Sequence, residues 1–286
     1  MTDSHHPSHP ATASGAPGPA SSAAPAPQAA VATGSRAPAA LVTGAGRRIG
    51  RAIALALAHA GWDLAVHYRA SAAQAREVAA AIEALGRRAV TLEADLADEA
   101  AVRQLVPRAV AALGALDCVV NNASLFDYDS AADFTVAKME AHMRANLAAP
   151  ILLAQALHGA TPDGGQGAVI NLLDQKLYNL NPDYLSYTLS KAALQTATTM
   201  LAQQLAPKLR VVGVAPGITL VSGEQSETGF VQAHRQTPLG RSSTPDDIAA
   251  AVVYAAGARA LTGTTLLVDG GQHLMPLARD VMFLAQ

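Results

Sequence analysis

The stretch 39–50, which reads AALVTGAGRRIG, decides the fold of this chain. Its first five residues are a short apolar run of the kind that forms a buried strand. A glycine-rich turn follows and leads into a helical pattern over 49–60. Glycines here permit a tight turn and a close backbone approach, while the helix N-terminus offers amide donors and a partial positive charge. The stretch therefore predicts a strand–turn–helix unit that binds the phosphates of a nucleotide.

The same alternation of apolar strand and helix continues along the chain. We predict strands at 39–43, 63–68, 88–96, 116–122, 167–173, 210–214 and 264–269, and helices at 49–60, 72–85, 98–113, 136–158, 184–206 and 245–256. Fully apolar strands that alternate with helices indicate a parallel sheet covered on both faces. We therefore expect an α/β fold, a single-domain doubly wound parallel sheet with helices on both faces.

The N-terminal segment, 1–38, has a different composition. It is rich in Ala, Pro, Ser, Gly and His and has almost no large apolar side chains. Such a segment buries too little surface to offset its ordering entropy, so we predict a disordered tail. The folded domain is then 39–286.

The composition argues against a nucleic-acid-binding or membrane-spanning protein. The 286 residues are 50% hydrophobic and 15% charged, with a net charge of −2, which gives no basic excess for nucleic acid or an acidic membrane surface. No apolar stretch reaches the roughly 18 residues that span a bilayer, so we expect a cytoplasmic protein by elimination. The single cysteine, Cys118, lies in an apolar run and is predicted to be a buried thiol. We find no metal-ligand pattern.

A candidate catalytic pair lies on the predicted helix 184–206. Tyr187 and Lys191 are four residues apart and so share one helix face. An ammonium group beside a phenol favours the phenolate, so we expect Lys191 to lower the pKa of Tyr187 and to make it a proton donor near neutral pH.

Four motifs together resemble the short-chain dehydrogenases/reductases. They are T-G-x-x-x-x-x-G from Thr43, Asn121-Asn122-Ala123, Tyr187-x-x-x-Lys191 and Pro216-Gly217, in that family's order and spacing over about 39–272. The resemblance implies a Rossmann-type sheet, a nicotinamide cofactor and hydride transfer. It also implies that Tyr187 is the acid, that Lys191 binds the nicotinamide ribose and biases the tyrosine, and that Asn146 belongs to the proton relay.

The end of the second predicted strand indicates NADPH. NAD-binding sheets of this kind carry an Asp or Glu there, whereas this strand ends in His67-Tyr68-Arg69-Ala70-Ser71, and the next carboxylate is Glu77. Arginines and a serine can instead surround a 2′-phosphate, although solvated surface arginines are the alternative. The cofactor contacts that we predict, from charge or from the resemblance, are Gly44, Arg47, Arg48, Ile49, Gly50, His67, Tyr68, Arg69, Ser71, Asp95, Leu96, Asn122, Ala123, Ser124, Tyr187, Lys191, Pro216, Gly217 and Ile218.

The sequence departs from the family pattern at Asp174. The family has a serine about thirteen residues before the tyrosine, and this chain has Asp174 there, in LLDQKLYNLN. An ionised carboxylate repels a developing alkoxide, so Asp174 suits a heterocycle rich in N–H groups, or donates a proton if its pKa is raised. Bracing of the following loop is the alternative role.

Several independent positions resemble the pteridine reductases within that family. These are Arg47-Arg48, His67-Tyr68 with Ser71, the run from Asn121 to Phe126, Asp174 ahead of Tyr187, and Tyr184. The resemblance implies a pterin ring stacked between Phe126 and the nicotinamide, with Asp174 and Tyr187 delivering a proton to a ring nitrogen. The predicted substrate contacts are Arg48, Ser124, Phe126, Asp174, Tyr184 and Tyr187, and packing or surface roles are the alternatives for Phe126 and Tyr184.

The leading hypothesis is an NADPH-dependent reductase of a pterin, dihydropterin or dihydrofolate-like ring. The alternatives are a carbonyl reductase acting on another ketone, such as a 3-oxoacyl thioester, and a non-catalytic NADP(H)-binding protein. The joint presence of Asn146, Tyr187 and Lys191 argues against the last, because a binding protein needs no such relay. The resemblance further implies a homotetramer built on the helices 136–158 and 184–206, and a lid over the substrate at 218–241.

Overall fold

The computed structural model describes residues 36–221, 227–235, 237–280 and 283. All elements below belong to the compact unit Ala37–Gln286. Apart from its last three residues, the segment 1–38 lies outside the described residues, so its disorder stays a prediction.

A parallel sheet forms the centre of this unit. In chain order the strands of the described residues are β1 (Ala39–Val42), β2 (Asp63–Tyr68), β3 (Ala89–Glu93), β4 (Cys118–Asn121), β5 (Gly167–Leu172), β6 (Leu209–Pro216) and β7 (Thr265–Val268). They form one 7-stranded sheet in the order β3-β2-β1-β4-β5-β6-β7, and every neighbouring pair is parallel. The predicted fold class is confirmed.

Helices cover both faces of the sheet. They are α1 (Arg48–His59), α2 (Ala72–Ala84), α3 (Glu99–Leu113), α4 (Val136–Met143), α5 (Ala149–Ala160), α6 (Leu185–Gln204), α7 (Glu227–Arg235) and α8 (Pro245–Gly257). Side chains alternate along β1, so Ala40 and Val42 pack in one core with α1, α2 and α8, whereas Ala39 and Leu41 pack in a second core with α3, α5 and α6. The apolar strands were readable from the sequence because both of their faces are buried.

The order of the strands fixes where a ligand can bind. From β1 the chain proceeds outward to β2 and β3, then crosses back to β4 on the other side of β1. In an open sheet of this type a crevice forms at the carboxyl ends of the strands on either side of such a reversal. The turn after β1 and the residues after β4 meet there, since Thr43 N–H donates to the carbonyl of Val120 at 3.0 Å.

Two segments differ from the prediction. The predicted helix 136–158 is interrupted by a π-helical turn, Arg144–Ala148, and α5 continues to Ala160. Pro150 has no N–H to donate to the carbonyl of Asn146 four residues earlier, which explains why regular α-helical bonding fails there. The proposed lid, 218–241, contains α7, which was not predicted, while its residues 222–226 and 236 lie outside the described residues.

Within the described part of the chain, no helix is long and apolar enough to cross a membrane.

Candidate active site

Two cavities lie along the carboxyl edge of the sheet. The larger, of about 530 Å³, is lined by the turn after β1 and the residues that follow β2, β3 and β4. The smaller, of about 240 Å³, is lined by the residues that follow β5 and β6 and by the start of α6. Both cavities share Arg48, Ile49, Asn122 and Ser124, so they adjoin. Each residue predicted to contact the cofactor lines one cavity or the other.

The glycine turn closes tightly against the start of α1. Gly44 has φ +64°, and a Cβ at Gly50 would lie 2.3 Å from the carbonyl oxygen of Gly44, so only glycine fits there. Arg47, the residue directly before α1, makes no side-chain capping bond to the first-turn amides, and the first turn of α1 lines the larger cavity. Together with the exposed guanidinium groups of Arg47, Arg48 and Arg69, this donor set fits a ligand that carries phosphates.

Arg48 holds an unusual backbone conformation. Its φ is +53°, in the left-handed region that favours glycine. Its Nη1 donates to the carbonyl of Val221 at 3.0 Å, on the segment that closes the smaller cavity from the other side. A bulky side chain at such a position is strained, and strained positions of this kind cluster at functional sites.

His67 holds the glycine turn in place through hydrogen bonds. Its Nδ1 accepts the N–H of Gly44 at 3.0 Å, and its Nε2 donates to the carbonyl of Ala94 at 3.1 Å. Burial lowers the pKa of His67 to about 4, so the ring is neutral at physiological pH. Both ring nitrogens are engaged inside the protein, so His67 fixes the turn; it also lines the larger cavity, and its contact with a cofactor stays a prediction.

The far end of the larger cavity carries cationic and hydroxyl groups at the end of β2. Arg69 and Ser71 line it, while the hydroxyl of Tyr68 donates to Glu93 at 3.3 Å. The carboxylate of Asp95 accepts the N–H of Ala97 at 2.9 Å, which orients it at the cavity wall.

Thr43 joins the two strands at the centre of the site. Its hydroxyl oxygen accepts the N–H groups of Asn122 at 2.9 Å and of Ala123 at 3.0 Å, and Asn122 Nδ2 donates back to the carbonyl of Thr43 at 2.8 Å. Thr43 begins the glycine motif of the sequence, but no role was predicted for its side chain. Its position directly after the first strand was the available signal.

Asn146 lies in the π-helical turn and is 1% exposed. Its side-chain oxygen accepts the N–H of Leu125 at 2.8 Å, while its Nδ2 donates to the carbonyl of Leu125 and to Ser190 Oγ, both at 3.0 Å. Ser124 Oγ also approaches the Asn146 oxygen, at 3.3 Å. Asn146 therefore ties the loop after β4 to α6.

The predicted reacting groups meet at the smaller cavity. The hydroxyl of Tyr187 donates to Asp174 Oδ2 at 2.8 Å, and Asp174 Oδ1 accepts the N–H of Lys176 at 2.8 Å. Burial raises the pKa of Asp174, although its hydrogen bonds oppose that effect. Asp174 thus also braces the following 3₁₀ turn, Gln175–Tyr178, as the alternative reading of the sequence proposed.

The predicted effect of Lys191 on Tyr187 is wrong for this arrangement. Burial first, and then the charge of Asp174, raise the pKa of Tyr187 well above its ordinary value of 10. The Lys191 ammonium donates to the carbonyl of Leu172 at 2.7 Å and lies 5.7 Å from the centre of the Tyr187 ring. Its own pKa is lowered to about 8 by burial. Tyr187 is therefore a phenol that donates to the carboxyl group of Asp174.

Phe126 and Tyr184 form a stacked pair beside these groups. Their ring centres are 4.3 Å apart with an interplanar angle of 12°, and Phe126 also meets Tyr187 edge to face at 4.6 Å. Phe126 lines the smaller cavity and is 39% exposed, whereas Tyr184 is 6% exposed. Among the predicted substrate residues, Tyr184 is the one that does not line this cavity; it stacks on Phe126, and its contact with a substrate stays a prediction.

Asp129 holds the start of α6. The residue before the helix, Tyr184, has φ +56° and makes no side-chain capping bond. Asp129, buried in the loop that carries Phe126, accepts the N–H of Ser186 at 2.9 Å and also its hydroxyl group. A carboxylate at this end also interacts favourably with the helix dipole. The loop with Phe126 and the helix with Tyr187 are thereby joined.

The C-terminal segment adds a residue that the sequence analysis missed. Asp280 lines the smaller cavity and pairs with Lys176, which lines it too. Within the described residues, no group of three or more His, Cys, Asp or Glu side chains is placed to hold a metal ion. Cys118 is buried, and burial raises the pKa of its thiol to about 12.

Comparison with known proteins adds the family context. The family model described as enoyl-(acyl carrier protein) reductase matches residues 44–273. The structure of FolM alternative dihydrofolate reductase 1 from Brucella canis, complexed with NADP, matches with a TM-score of 0.81 and 39% identity, covering 85% of this chain and 96% of that one.

Curated relatives are similar over most of their length. An uncharacterised oxidoreductase of Methylorubrum extorquens is 36% identical over 243 residues, which is 81% of this chain and 96% of the relative. The 3-oxoacyl-[acyl-carrier-protein] reductase FabG of Staphylococcus aureus is 32% identical over 243 residues, covering 82% of this chain and 98% of the relative.

Proposed function

Because the chain belongs to the short-chain dehydrogenase/reductase family and is an NADP-dependent oxidoreductase, we propose that it reduces a pterin, dihydropterin or dihydrofolate-like ring with NADPH. The observation that carries the proposal is the hydrogen bond from Tyr187 to Asp174. Asp174 occupies the position at which an ordinary ketone reductase of this family has a serine. The similarity to a structure named as an alternative dihydrofolate reductase supports the same substrate class.

The larger cavity suits the phosphate-bearing half of NADPH. The amides at the start of α1 and the guanidinium groups of Arg47 and Arg48 would hold the pyrophosphate. Arg69 and Ser71 would hold the 2′-phosphate. Tyr187, Lys191 and the segment from Pro216 to Ile218 line the smaller cavity, where the nicotinamide ribose would lie. NADPH supplies the hydride when bound.

Phe126 gives the smaller cavity a flat apolar wall. Its stacking on Tyr184 fixes the plane of the ring, so a planar heterocycle finds a preorganised surface. The oxygens of Asp174 and Ser124 lie on the same walls and suit a ring rich in N–H groups. Stacking with Phe126 would orient the plane of the pterin, and the acceptor oxygens of Asp174 and Ser124 would determine which edge of the ring faces them.

The Tyr187–Asp174 pair holds the proton that the reaction consumes. The pKa of Tyr187 is raised by burial, so its phenol stays protonated, and burial also raises the pKa of Asp174, which makes this carboxyl group easier to protonate. Such a pair can pass a proton to a ring nitrogen and recover one from solvent through the open cavity. Asn146 would act indirectly, because its hydrogen bonds hold Ser124, Leu125 and α6 in fixed relative positions.

The second candidate is a carbonyl reductase acting on a 3-oxoacyl thioester or another ketone. The relative named as a 3-oxoacyl-[acyl-carrier-protein] reductase favours it. Asp174 opposes it, because an ionised carboxylate repels the oxyanion that forms when a ketone is reduced.

One assay separates these candidates. NADPH consumption is followed against biopterin, dihydrobiopterin, dihydrofolate and acetoacetyl thioester, with wild type and Asp174→Ser. We expect turnover of at least one pterin by the wild type and its loss in the variant. Turnover of the thioester alone, unchanged or improved by Asp174→Ser, would establish the second candidate instead. Faster turnover with NADH than with NADPH at equal concentration would contradict the cofactor preference.

We also propose that the enzyme is a homotetramer. Val136 on α4, and Leu189 and Met200 on α6, are large apolar side chains with exposed fractions of 64%, 43% and 62%. Apolar side chains on the outer faces of these helices suit contact with another copy of the chain. Light scattering that gives the mass of a monomer would contradict the assembly. A cytoplasmic location stays a prediction.

A further inference from the structure

Lys176 is a buried cation on the wall of the smaller cavity. It is 3% exposed, and its ammonium donates to the carbonyl of Asp183 at 2.6 Å and to Asp280 Oδ2 at 3.0 Å. It also lies 5.3 Å from the centre of the Tyr184 ring. A buried ammonium group is costly unless a counter-charge neutralises it, so Asp280 stabilises the lysine in this position.

The backbone of the same lysine holds the proposed acid. The N–H of Lys176 donates to Asp174 Oδ1 at 2.8 Å, while Oδ2 of the same carboxyl accepts the hydroxyl of Tyr187 at 2.8 Å. Asp280, Lys176, Asp174 and Tyr187 therefore form a continuous chain of contacts. The orientation of Asp174 depends on where Lys176 is anchored.

Contacts that do not involve Lys176 fix Asp280 beside the cavity. Arg279 donates to both carboxylate oxygens of Asp183 at 2.8 Å, and the N–H of Asp280 donates to the same carboxylate at 2.8 Å. The guanidinium of Arg279 lies 4.8 Å from the centre of the Phe283 ring, which meets Tyr128 at 5.6 Å. The segment is therefore tied to the residues directly before α6.

Resting on the proposed function, we propose that Asp280 is a positioning residue of the active site. It acts through Lys176 to hold the Asp174 carboxyl against Tyr187, so the C-terminal segment 275–280 belongs to the proton-transfer site. Asp280 would then serve the reaction without contacting the reacting atoms.

The charges around Asp174 determine the direction in which its pKa changes when the charge of Asp280 is removed. Tyr187 and Lys191 face it from α6, Lys176 from its own turn, Asp280 from the C-terminal segment, and Arg48 lines the same cavity. After burial, which is the largest cause, the negative charge of Asp280 also raises the pKa of Asp174. Loss of that charge is therefore expected to lower the pKa of Asp174.

The test compares Asp280→Asn with the double variant Lys176→Met/Asp280→Asn. The double variant leaves no unpaired buried charge, so it keeps the fold if the single variant loses stability. Glu99→Gln is the matched control, because it removes the 2.7 Å ion pair with Arg103 on the surface of α3, where neither residue lines the smaller cavity.

The first measurement needs no substrate. An infrared pH titration follows the protonated carboxyl of Asp174, identified by its loss in Asp174→Asn. We expect the Asp174 titration to move to lower pH in Asp280→Asn, to move less in the double variant, which also loses the positive charge of Lys176, and to be unchanged in Glu99→Gln. An unchanged titration in both Asp280 variants would overturn the inference, even if pterin reduction is never observed.

The second measurement is the pH profile of kcat/KM for the pterin. With less protonated acid available, the high-pH limb should move to lower pH, with a loss of about tenfold at pH 8, while KM for NADPH stays within about twofold. Equal losses at all pH values, with a raised KM for NADPH, would indicate general damage to the fold and would overturn the positioning role.

Discussion

The hydroxyl of Tyr187 lies 2.8 Å from Asp174 Oδ2 and donates to it, which makes the two side chains one proton-sharing unit. The charge of Asp174 raises the pKa of Tyr187, while the hydrogen bond from Tyr187 lowers the pKa of Asp174. Burial is the largest cause for both, and it favours their neutral forms. Burial therefore opposes the loss of a proton from either group.

This arrangement predicts a pH-dependent gain of stability in Asp174→Asn. Because the folded-state pKa of Asp174 is raised, the wild type loses stability as pH rises above the unfolded-state value of about 4 and through the raised pKa. The asparagine variant has no such loss, so we expect it to be more stable than wild type at pH 8, with a difference that shrinks toward pH 4. Denaturant unfolding across this range measures the difference, and pterin reduction should be lost.

Asp247→Asn is expected to change the stability at pH 8 in the opposite direction. Hydrogen bonds from Arg241 and Thr244 lower the pKa of Asp247 to about 2. Its charged carboxylate therefore stabilises the fold above about pH 4, and this contribution is lost as pH falls from about 4 through the folded-state pKa of about 2. This variant should be less stable than wild type at pH 8. If both variants shift unfolding in the same direction at pH 8, the assignment of a raised pKa to Asp174 is contradicted.

Phe126→Ala should weaken substrate binding selectively. Removal of the ring takes away the flat wall of the smaller cavity, and aromatic stacking contributes about 0.5–1.5 kcal/mol beyond the area it buries. We expect KM for the pterin to rise about tenfold and KM for NADPH to change little.

The matched control for this variant is Phe134→Ala. Phe134 is similarly exposed, at 42% against 39% for Phe126, but it lies just before α4 and does not line either cavity. Steady-state kinetics should show no change in KM for the pterin. A similar rise in both variants would contradict a stacking role for Phe126.

Asp129→Ala should destabilise the helix that carries Tyr187 and Lys191. The substitution leaves the N–H and the hydroxyl of Ser186 without the acceptor that now holds the start of α6. Loss of a helix cap costs about 1–2 kcal/mol, so the free energy of unfolding should fall by about that amount. Asp129→Asn retains an acceptor oxygen and should lose less. Equal losses in chemical denaturation would mean that the capping bond is not the cause.

Most of the fold was predictable because its signal is local. The strands are apolar on both faces and the glycine turn has one conformational solution, so 39–50 already indicates the first unit of the sheet. The π-helical turn was not predicted, because its cause is the missing N–H of Pro150 within an otherwise regular helical pattern. α7 was not predicted, because it is only 9 residues long and contains Gly229, a residue that disfavours helices.

The site was predictable only where its residues follow strands. Those residues meet at one edge of any parallel sheet, which is why Gly44, Asn122 and Asp174 come together. Burial and long-range pairing were not predictable. Tyr184 lies behind Phe126 because of how two loops pack, and Lys176 meets a carboxylate 104 residues away. The direction of the pKa change at Tyr187 was predicted wrongly for the same reason, since burial and the neighbouring charge of Asp174 determine it.

Arg48 allows a test that separates backbone strain from ligand binding. Its φ of +53° costs an ordinary residue roughly 1–2 kcal/mol, whereas glycine adopts this region freely but loses about 0.5–1 kcal/mol through chain entropy. We therefore expect Arg48→Gly to be more stable to denaturant than Arg48→Ala, by about 1 kcal/mol. Both variants remove the guanidinium from the two cavities, so KM for NADPH and for the pterin should rise equally in both. Wild-type kinetics in Arg48→Gly would show that the arginine serves only the conformation of the turn, and an alanine variant at least as stable as the glycine variant would show that the turn is not strained.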